Sequence, residues 1–267
     1  MNQRPEYLRP PDVAAAWRHR GTAASYRHRL QYPPETFDIL DRLIVDRPRS
    51  VLDLGCGTGN VARALASLVD RVDAVDISAA MIDEGKRLPG GDDSRITWIV
   101  GRAEDAELHP PYSQATAGDS LHWMDWTVVL PRLADMLLPT GRFAILDVNG
   151  EMVGESEEFC NQRGELVQRY ATYQRPGIQL LRELEQRGLF RGEGREETEA
   201  VLVRQSVDEY VESFHAHAPL SWGRMDLEDA AAFDAALRGI VRDHIGNTVE
   251  FMVRGFVVWG KPLRPEA

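Results

Sequence analysis

The stretch VLDLGCGTGN, Val51 to Asn60, sets three glycines at alternate positions directly after a short apolar run. The run reads as a core strand, and the segment after it, with Val61, Leu65, Leu68 and Val69, carries the apolar stripe of a helix. Glycines between a strand and a helix permit a tight turn with positive φ and let another group touch the main chain without a Cβ clash. The free N–H groups at the start of the helix add a partial positive charge. The same glycines are compatible with nothing more than closure of the turn.

Outward from this loop the alternation is regular. Val72–Asp76 reads as a strand, Ala79–Arg87 as a helix and Ile96–Val100 as a strand, and a weaker strand ends near Gly118. Thr127–Leu137 reads as a helix and Arg142–Val148 as a strand. Strands separated by helices imply a parallel sheet covered on both faces. Before the loop, Asp12 is placed to cap a helix through Trp17, a second short helix follows Gly21, and Pro33 and Pro34 introduce a helix from Glu35 to about Val45. After Asn149 the pattern changes. Residues 151–194 read as mostly helical and strongly charged, and 195–205 as a strand. Helices over Val207–Phe214 and Leu227–Ile245 precede a closing strand with alternating Val249, Phe251, Val253, Val257 and Trp259.

Asp76 ends the second strand, 23 positions after Asp53. A carboxylate there is placed to accept hydrogen bonds from the two hydroxyls of a ribose, or to cap the following helix beside Ser78. A dinucleotide site calls for GxGxxG to receive a pyrophosphate. This loop is GxGxG with Asp53 close before it, which repels phosphate and suits a cation. A ligand with a ribose, an adenine and a positively charged amino acid, S-adenosylmethionine, fits better.

The composition sets bounds. The chain has 267 residues, 43% of them hydrophobic, and a net charge of −11. That is enough for one large α/β domain with an elaborated cap, and the charge opposes non-specific binding to nucleic acid. The two cysteines, Cys56 and Cys160, form no metal-ligand spacing. Reduced thiols, a start without an apolar leader and the lack of a membrane-length apolar run lead us to expect a cytoplasmic protein. The spacing of His215 and His217 lacks a third ligand nearby, so no metal site is expected.

The series VLDLGCGTGNVARAL, VDAVDIS and VGRAEDAEL resembles the motifs of class I S-adenosylmethionine-dependent methyltransferases. The segments AGDSLHWMDW and ASYRHRLQYPPETFDIL are similar to the small-molecule, type 11 branch. The resemblance covers residues 50–148 and extends more weakly to both ends. It implies a Rossmann-like, seven-stranded, mostly parallel sheet with helices on both faces and the last strand antiparallel. Residues 1–34 would be a tail and cap helices, 35–150 the donor-binding core, 151–246 helical cap elements with one core strand, and 247–267 the final strand and tail.

It also implies roles. Gly55, Gly57 and Gly59 would line the methionine and ribose part, with Asp53 near the amino acid end and Asp76 on the ribose. Ile77 and Met81 would pack on the adenine face, and Ala103 and Glu104 would border its edge. Gly118 and Asp119 would offer backbone groups to the methionine ammonium, although the strand YSQATAG departs from the family pattern by lacking an acidic residue at its start. His122, on the methyl-facing loop, would act as a general base or would shape the pocket beside Trp123. The acceptor site is expected from Tyr26 and Arg29, with Arg27 and His28 in the same segment, and from Tyr170, Tyr173, His215 and Trp222, with Arg224 nearby. Tyr170 and Tyr173 are equally compatible with core positions. The implied activity is in-line methyl transfer to a small-molecule acceptor in specialised metabolism, in a monomer or homodimer that binds neither nucleic acid nor membrane. The alternative is a non-catalytic scaffold that keeps the donor-binding fold.

Overall fold

The computed structural model describes residues 13–173 and 179–264. The expected tail over 1–11 and the capping role of Asp12 lie outside the described residues. Two short helices, α1 (Val13–Arg18) and α2 (Arg20–Ser25), lead through a 3-10 turn at Tyr26–His28 to α3 (Pro34–Leu43). The alternating core follows: β1 (Ser50–Leu54), α4 (Asn60–Leu65), β2 (Arg71–Asp76), α5 (Ala79–Gly85), β3 (Ile96–Val100), β4 (Tyr112–Gly118), α6 (Trp126–Met136) and β5 (Leu137–Met152). Then come α7 (Glu157–Tyr170), α8 (Leu180–Gln186), β6 (Phe190–Glu197), β7 (Val201–Ser206), α9 (Val207–Phe214), α10 (Leu227–His244) and β8 (Thr248–Pro262).

The strands form one sheet in the order β3-β2-β1-β4-β5-β8-β6, with β7 also paired to β8. β1 to β5 run parallel, and β8 runs antiparallel to β5, β6 and β7. Every residue of β1 is buried, as a central parallel strand requires. Its side chains feed two cores. Val51 packs with Ile39 and Leu40 of α3 and Val61 and Leu65 of α4, whereas Leu52 and Leu54 face Trp126, Leu130 and Leu133 of α6.

The sheet has eight strands rather than seven. The single strand expected over 195–205 is two strands, because β8 is 15 residues long and each pairs with a different half of it. The break falls opposite Gly255, where Thr198 donates its backbone N–H to the Gly255 carbonyl at 3.0 Å and Gly255 N–H donates to Thr198 Oγ1 at 2.9 Å. Residues 190–194, expected to be helical, belong to β6. Phe190 is buried against Phe143, and a Cβ at Gly194 would lie 2.3 Å from the Trp259 ring. The ends of β5 and β8 run past the main core, and α7, α9 and α10 cover them with a third core that includes Phe159, Phe233, Leu237 and Phe251.

The first strand-to-helix turn answers what approaches its backbone. Gly55, Gly57 and Gly59 have φ of 63°, 55° and 77°. A Cβ on Gly55 would lie 2.6 Å from Ser120 Cβ, and one on Gly59 would lie 2.3 Å from the Trp98 ring. At Gly57 the nearest atom is a Tyr26 ring carbon at 3.5 Å. Two of the three glycines therefore accommodate the protein's own side chains.

Gly59 and Gly90 separate backbone strain from crowding, since Gly90 has φ of 79° but its Cβ would meet nothing nearer than 3.8 Å. Gly90→Ala should lose about 1–2 kcal/mol, the left-handed penalty alone. Gly59→Ala should lose a further 1–3 kcal/mol or so through overpacking. Urea denaturation of the two variants measures the difference, and equal losses would show that Trp98 yields without cost.

Candidate donor and acceptor site

Four neighbouring parallel strands carry an aspartate where their parallel pairing ends: Asp53 in β1, Asp76 in β2, Asp119 just after β4, and Asp147 in β5, one residue past its last pair with β4. Ligands of open parallel sheets bind at these ends. Asp76 Oδ2 accepts from Gly57 N–H at 2.8 Å and Oδ1 from Ser78 N–H at 2.7 Å. One carboxylate thus ties the glycine loop to the end of the neighbouring strand. Asp53, 2% exposed, accepts from Ala62 N–H at 3.1 Å and from Thr116 Oγ1 at 3.0 Å, so it braces the first turn of α4 against β4.

Burial pushes the Asp53 carboxyl up to about 7, with Thr116 and Ala62 opposing the shift and the Asp76 charge adding to it. Burial likewise raises Asp76, against the stabilising N–H bonds of Ser78 and Gly57. Arg29 enters this acidic region from the N-terminal segment. It pairs with Asp119 at 2.7 Å and donates to the Tyr26 hydroxyl at 2.9 Å. Burial opposes its charge, but Tyr26 and Asp119 outweigh it and raise its pKa further. Asp119 has φ of 47°, the one non-glycine residue with positive φ among the described residues, and its N–H donates to the Leu146 carbonyl.

The N-terminal segment lies over the glycine loop. Ser78 Oγ donates to the Trp17 carbonyl at 2.5 Å, and Arg27 pairs with Glu84 of α5 at 2.5 Å. Trp17 contacts Tyr26 at 5.7 Å and Trp123 at 6.2 Å between ring centroids, and Trp123 contacts His122 at 4.6 Å. His122 is 4% exposed, with Nδ1 3.9 Å from Asp119 Oδ1. The Tyr32 hydroxyl lies 2.5 Å from where a Gly118 Cβ would stand, so Gly118 accommodates Tyr32. Sequence reading missed Trp17 and Tyr32. Tyr32 directly precedes Pro33 and Pro34, which read only as the start of α3, and nothing in the sequence pairs it with Gly118.

Other anticipated positions separate. Ile77 is 39% exposed beside the loop, whereas Met81 is buried. Ala103 is buried in the core. Glu104 Oε1 accepts from Asp125 N–H at 2.9 Å, tethering the loop after β3 to the start of α6. Tyr173 groups with Trp17 and Trp123, but Tyr170 packs on Phe233 in the third core, 5.8 Å between rings. His215 is a correction to the sequence reading. It is fully buried, with Nδ1 2.7 Å from the Leu220 carbonyl and Nε2 2.9 Å from Asp234 Oδ1. Both nitrogens face acceptors, so the ring is committed to joining α9 and α10 and presents nothing to a ligand. Trp222 stacks on His215 and donates to Ser25 Oγ at 3.0 Å and to Glu212 at 3.1 Å, which clamps α2 to α9 rather than lining a pocket.

Beside this site is a cavity of about 950 Å³, whose lining includes Asp119, Ser120 and His122. No helix of the described residues is long and apolar enough to cross a membrane.

Comparison with known proteins agrees with this geometry. Residues 51–141 match the family described as a methyltransferase domain. The chain is 33% identical over 87 residues to a malonyl-[acyl-carrier protein] O-methyltransferase of Anoxybacillus flavithermus, covering 32% of this chain and 33% of that protein. It is 33% identical over 119 residues to a trans-aconitate 2-methyltransferase of Pseudomonas paraeruginosa, covering 43% and 42%. The chain thus spans less than half the length of either relative. A provisionally assigned type II methyltransferase from Anaeromyxobacter dehalogenans superposes with a TM-score of 0.63 at 23% identity, covering 89% of this chain and 99% of that one. Residues 51–141 therefore resemble a methyltransferase domain, and the chain shares the α/β fold of the solved protein it superposes on.

Proposed function

We propose that the protein binds S-adenosylmethionine and transfers its methyl group to a small-molecule acceptor. The observation that carries this reading is the Asp76 carboxylate, fixed by Gly57 and Ser78 at the strand ends with Asp53 behind it. Each Asp76 oxygen keeps a second lone pair for a ribose hydroxyl. The carboxylates of Asp76, Asp119 and Asp147 against one inserted guanidinium favour a cationic ligand and disfavour a pyrophosphate. Bound adenosylmethionine supplies a methyl already activated on a sulfonium, so the residues of this chain need only orient the acceptor and exclude water.

In this reading Gly57 alone of the three glycines borders the ligand. Ile77 takes the adenine face, with Met81 as its buried support, and Ala103 and Glu104 border the adenine edge. The Gly118–Asp119 turn meets the amino acid end. Tyr26, Arg29, Trp123 and Tyr173 close the site from above. His122 is the one imidazole on the cavity wall among the described residues and is placed to accept an acceptor proton. The elements after residue 150 shape the acceptor side; Tyr170 supports them from the third core, His215 joins α9 to α10 and Trp222 clamps α2 to α9.

Calorimetry should show micromolar binding of S-adenosylhomocysteine, and tighter binding of NAD would contradict the reading. Asp76→Ala should weaken S-adenosylhomocysteine at least about tenfold, since each lost charged hydrogen bond is worth roughly 1.5–3 kcal/mol. The same variant should also lower the ligand-free Tm, because Gly57 and Ser78 lose their acceptor.

Asp53 gives a pH signature. Its folded pKa of about 7 lies above the unfolded value near 3.9, so between those limits the folded state holds a proton that the unfolded state has lost. Its contribution to stability therefore falls as pH rises from about 4 to 7. Thermal melts should show a smaller loss of stability across that window in Asp53→Asn than in the wild type, and identical profiles would mean that Asp53 is ionised throughout.

A further inference from the structure

The floor of the 950 Å³ cavity is one row of side chains across four strands. Ala117 of β4 pairs with Ile145 of β5, Ile145 with Val258 of β8, and Val258 with Arg195 of β6. Directly paired residues share a face of the sheet, and Ile145 places this row on the α6 and α8 side. The row is apolar for three strands and ends in a guanidinium. Strands spaced about 4.8 Å apart put Ala117 and Arg195 about 14 Å apart.

The roof is the start of α8. This helix is only 7 residues long, and its Leu184 is fully buried in the core. Leu180 and Leu181 lie over the floor, and Arg182 reaches the cavity beside them, bonded to Gln179 Oε1 at 3.1 Å. The carboxylates near Arg195 are committed elsewhere: Glu196 pairs with Arg42 at 2.7 Å and Glu197 with Arg254 at 3.4 Å. Arg195 has no ion-pair partner among the described residues. Asp119 lines the slot beyond Ala117, and the neighbouring row on the same face runs from Asp147 through Phe256 to Glu197; Glu197 flanks Arg195 but is paired with Arg254, so the uncommitted positive charge in the slot is that of the two arginines.

Resting on the methyltransferase reading, we propose that this slot is the acceptor site and that it takes an amphiphile. The apolar body lies on Ile145 and Val258, an anionic group remote from the methylated atom is held between Arg182 and Arg195, and the reacting end points to His122. A cavity of this volume matches the range of small-molecule sites.

The test uses three probes with one eight-carbon body, octanoate, 1-octanol and octylamine, titrated by NMR into the full chain. Octanoate should bind at least about tenfold more tightly than the other two, the scale of a charge-assisted hydrogen bond. The double variant Arg182→Gln, Arg195→Gln should bring octanoate to the affinity of octanol and leave S-adenosylhomocysteine affinity and Tm unchanged. Val258→Phe, which fills the floor, should weaken all three probes. Octylamine binding as well as octanoate, or octanoate affinity surviving the double variant, would overturn the proposal. S-adenosylhomocysteine titrated into the same samples reads the donor site separately. Donor binding without octanoate preference removes the slot alone, whereas octanoate preference without donor binding keeps the anion slot and removes methyl transfer.

Discussion

The carboxylate of Asp76 holds two strand ends in one arrangement by accepting from Gly57 N–H and Ser78 N–H. Without it, the Gly55–Gly59 loop would lose the acceptor that fixes its middle, and the turn into α5 would lose the one at its start. Asp53 repeats the device one strand over, holding the first turn of α4 against β4 through Ala62 and Thr116. Both carboxyls are raised by burial, so the fold keeps acidic groups where water does not solvate them. A region that disfavours isolated negative charge gains from a cation, and this links the packing of the strand ends to the kind of ligand they suit.

The second constraint is the length of β8. Its 15 residues serve β5 on one side and both β6 and β7 on the other. The half beside β6 completes the main sheet and supplies Val258 to the cavity floor. The half beside β7 carries the third core, from which α9 reaches back to the N-terminal cap through Glu212, Ser25 and Trp222. The cap that covers the glycine loop is therefore held by elements from the far end of the chain.

Much of this was legible in the sequence, because the first half of the sheet is built from local patterns. A strand, a glycine turn and a helix lie within VLDLGCGTGNVARAL, and Asp76 follows one strand later. The elements after residue 150 were less legible because their contacts are long-range. Nothing near His215 in the chain indicates Asp234, 19 positions on, as the partner that buries it. The strand expected over 195–205 hid its break because only Gly255, opposite it, shows where pairing stops. The three glycines mark a turn whose close contacts the sequence does not name. Gly55 and Gly59 yield to Ser120 and Trp98, and the sequence does not show which side chain will come close.

In the proposed site the Gly57 and Asp119 backbones border one ligand, and Asp76 keeps its bond to Gly57. Backbone amide NMR during an S-adenosylhomocysteine titration tests this most directly. Saturable shifts at Gly57, Ile77 and Asp119, with slow hydrogen exchange retained at the Gly57 amide, are the expected result. Saturation with no shift at these three positions, or the same shifts produced only by NAD, would contradict it.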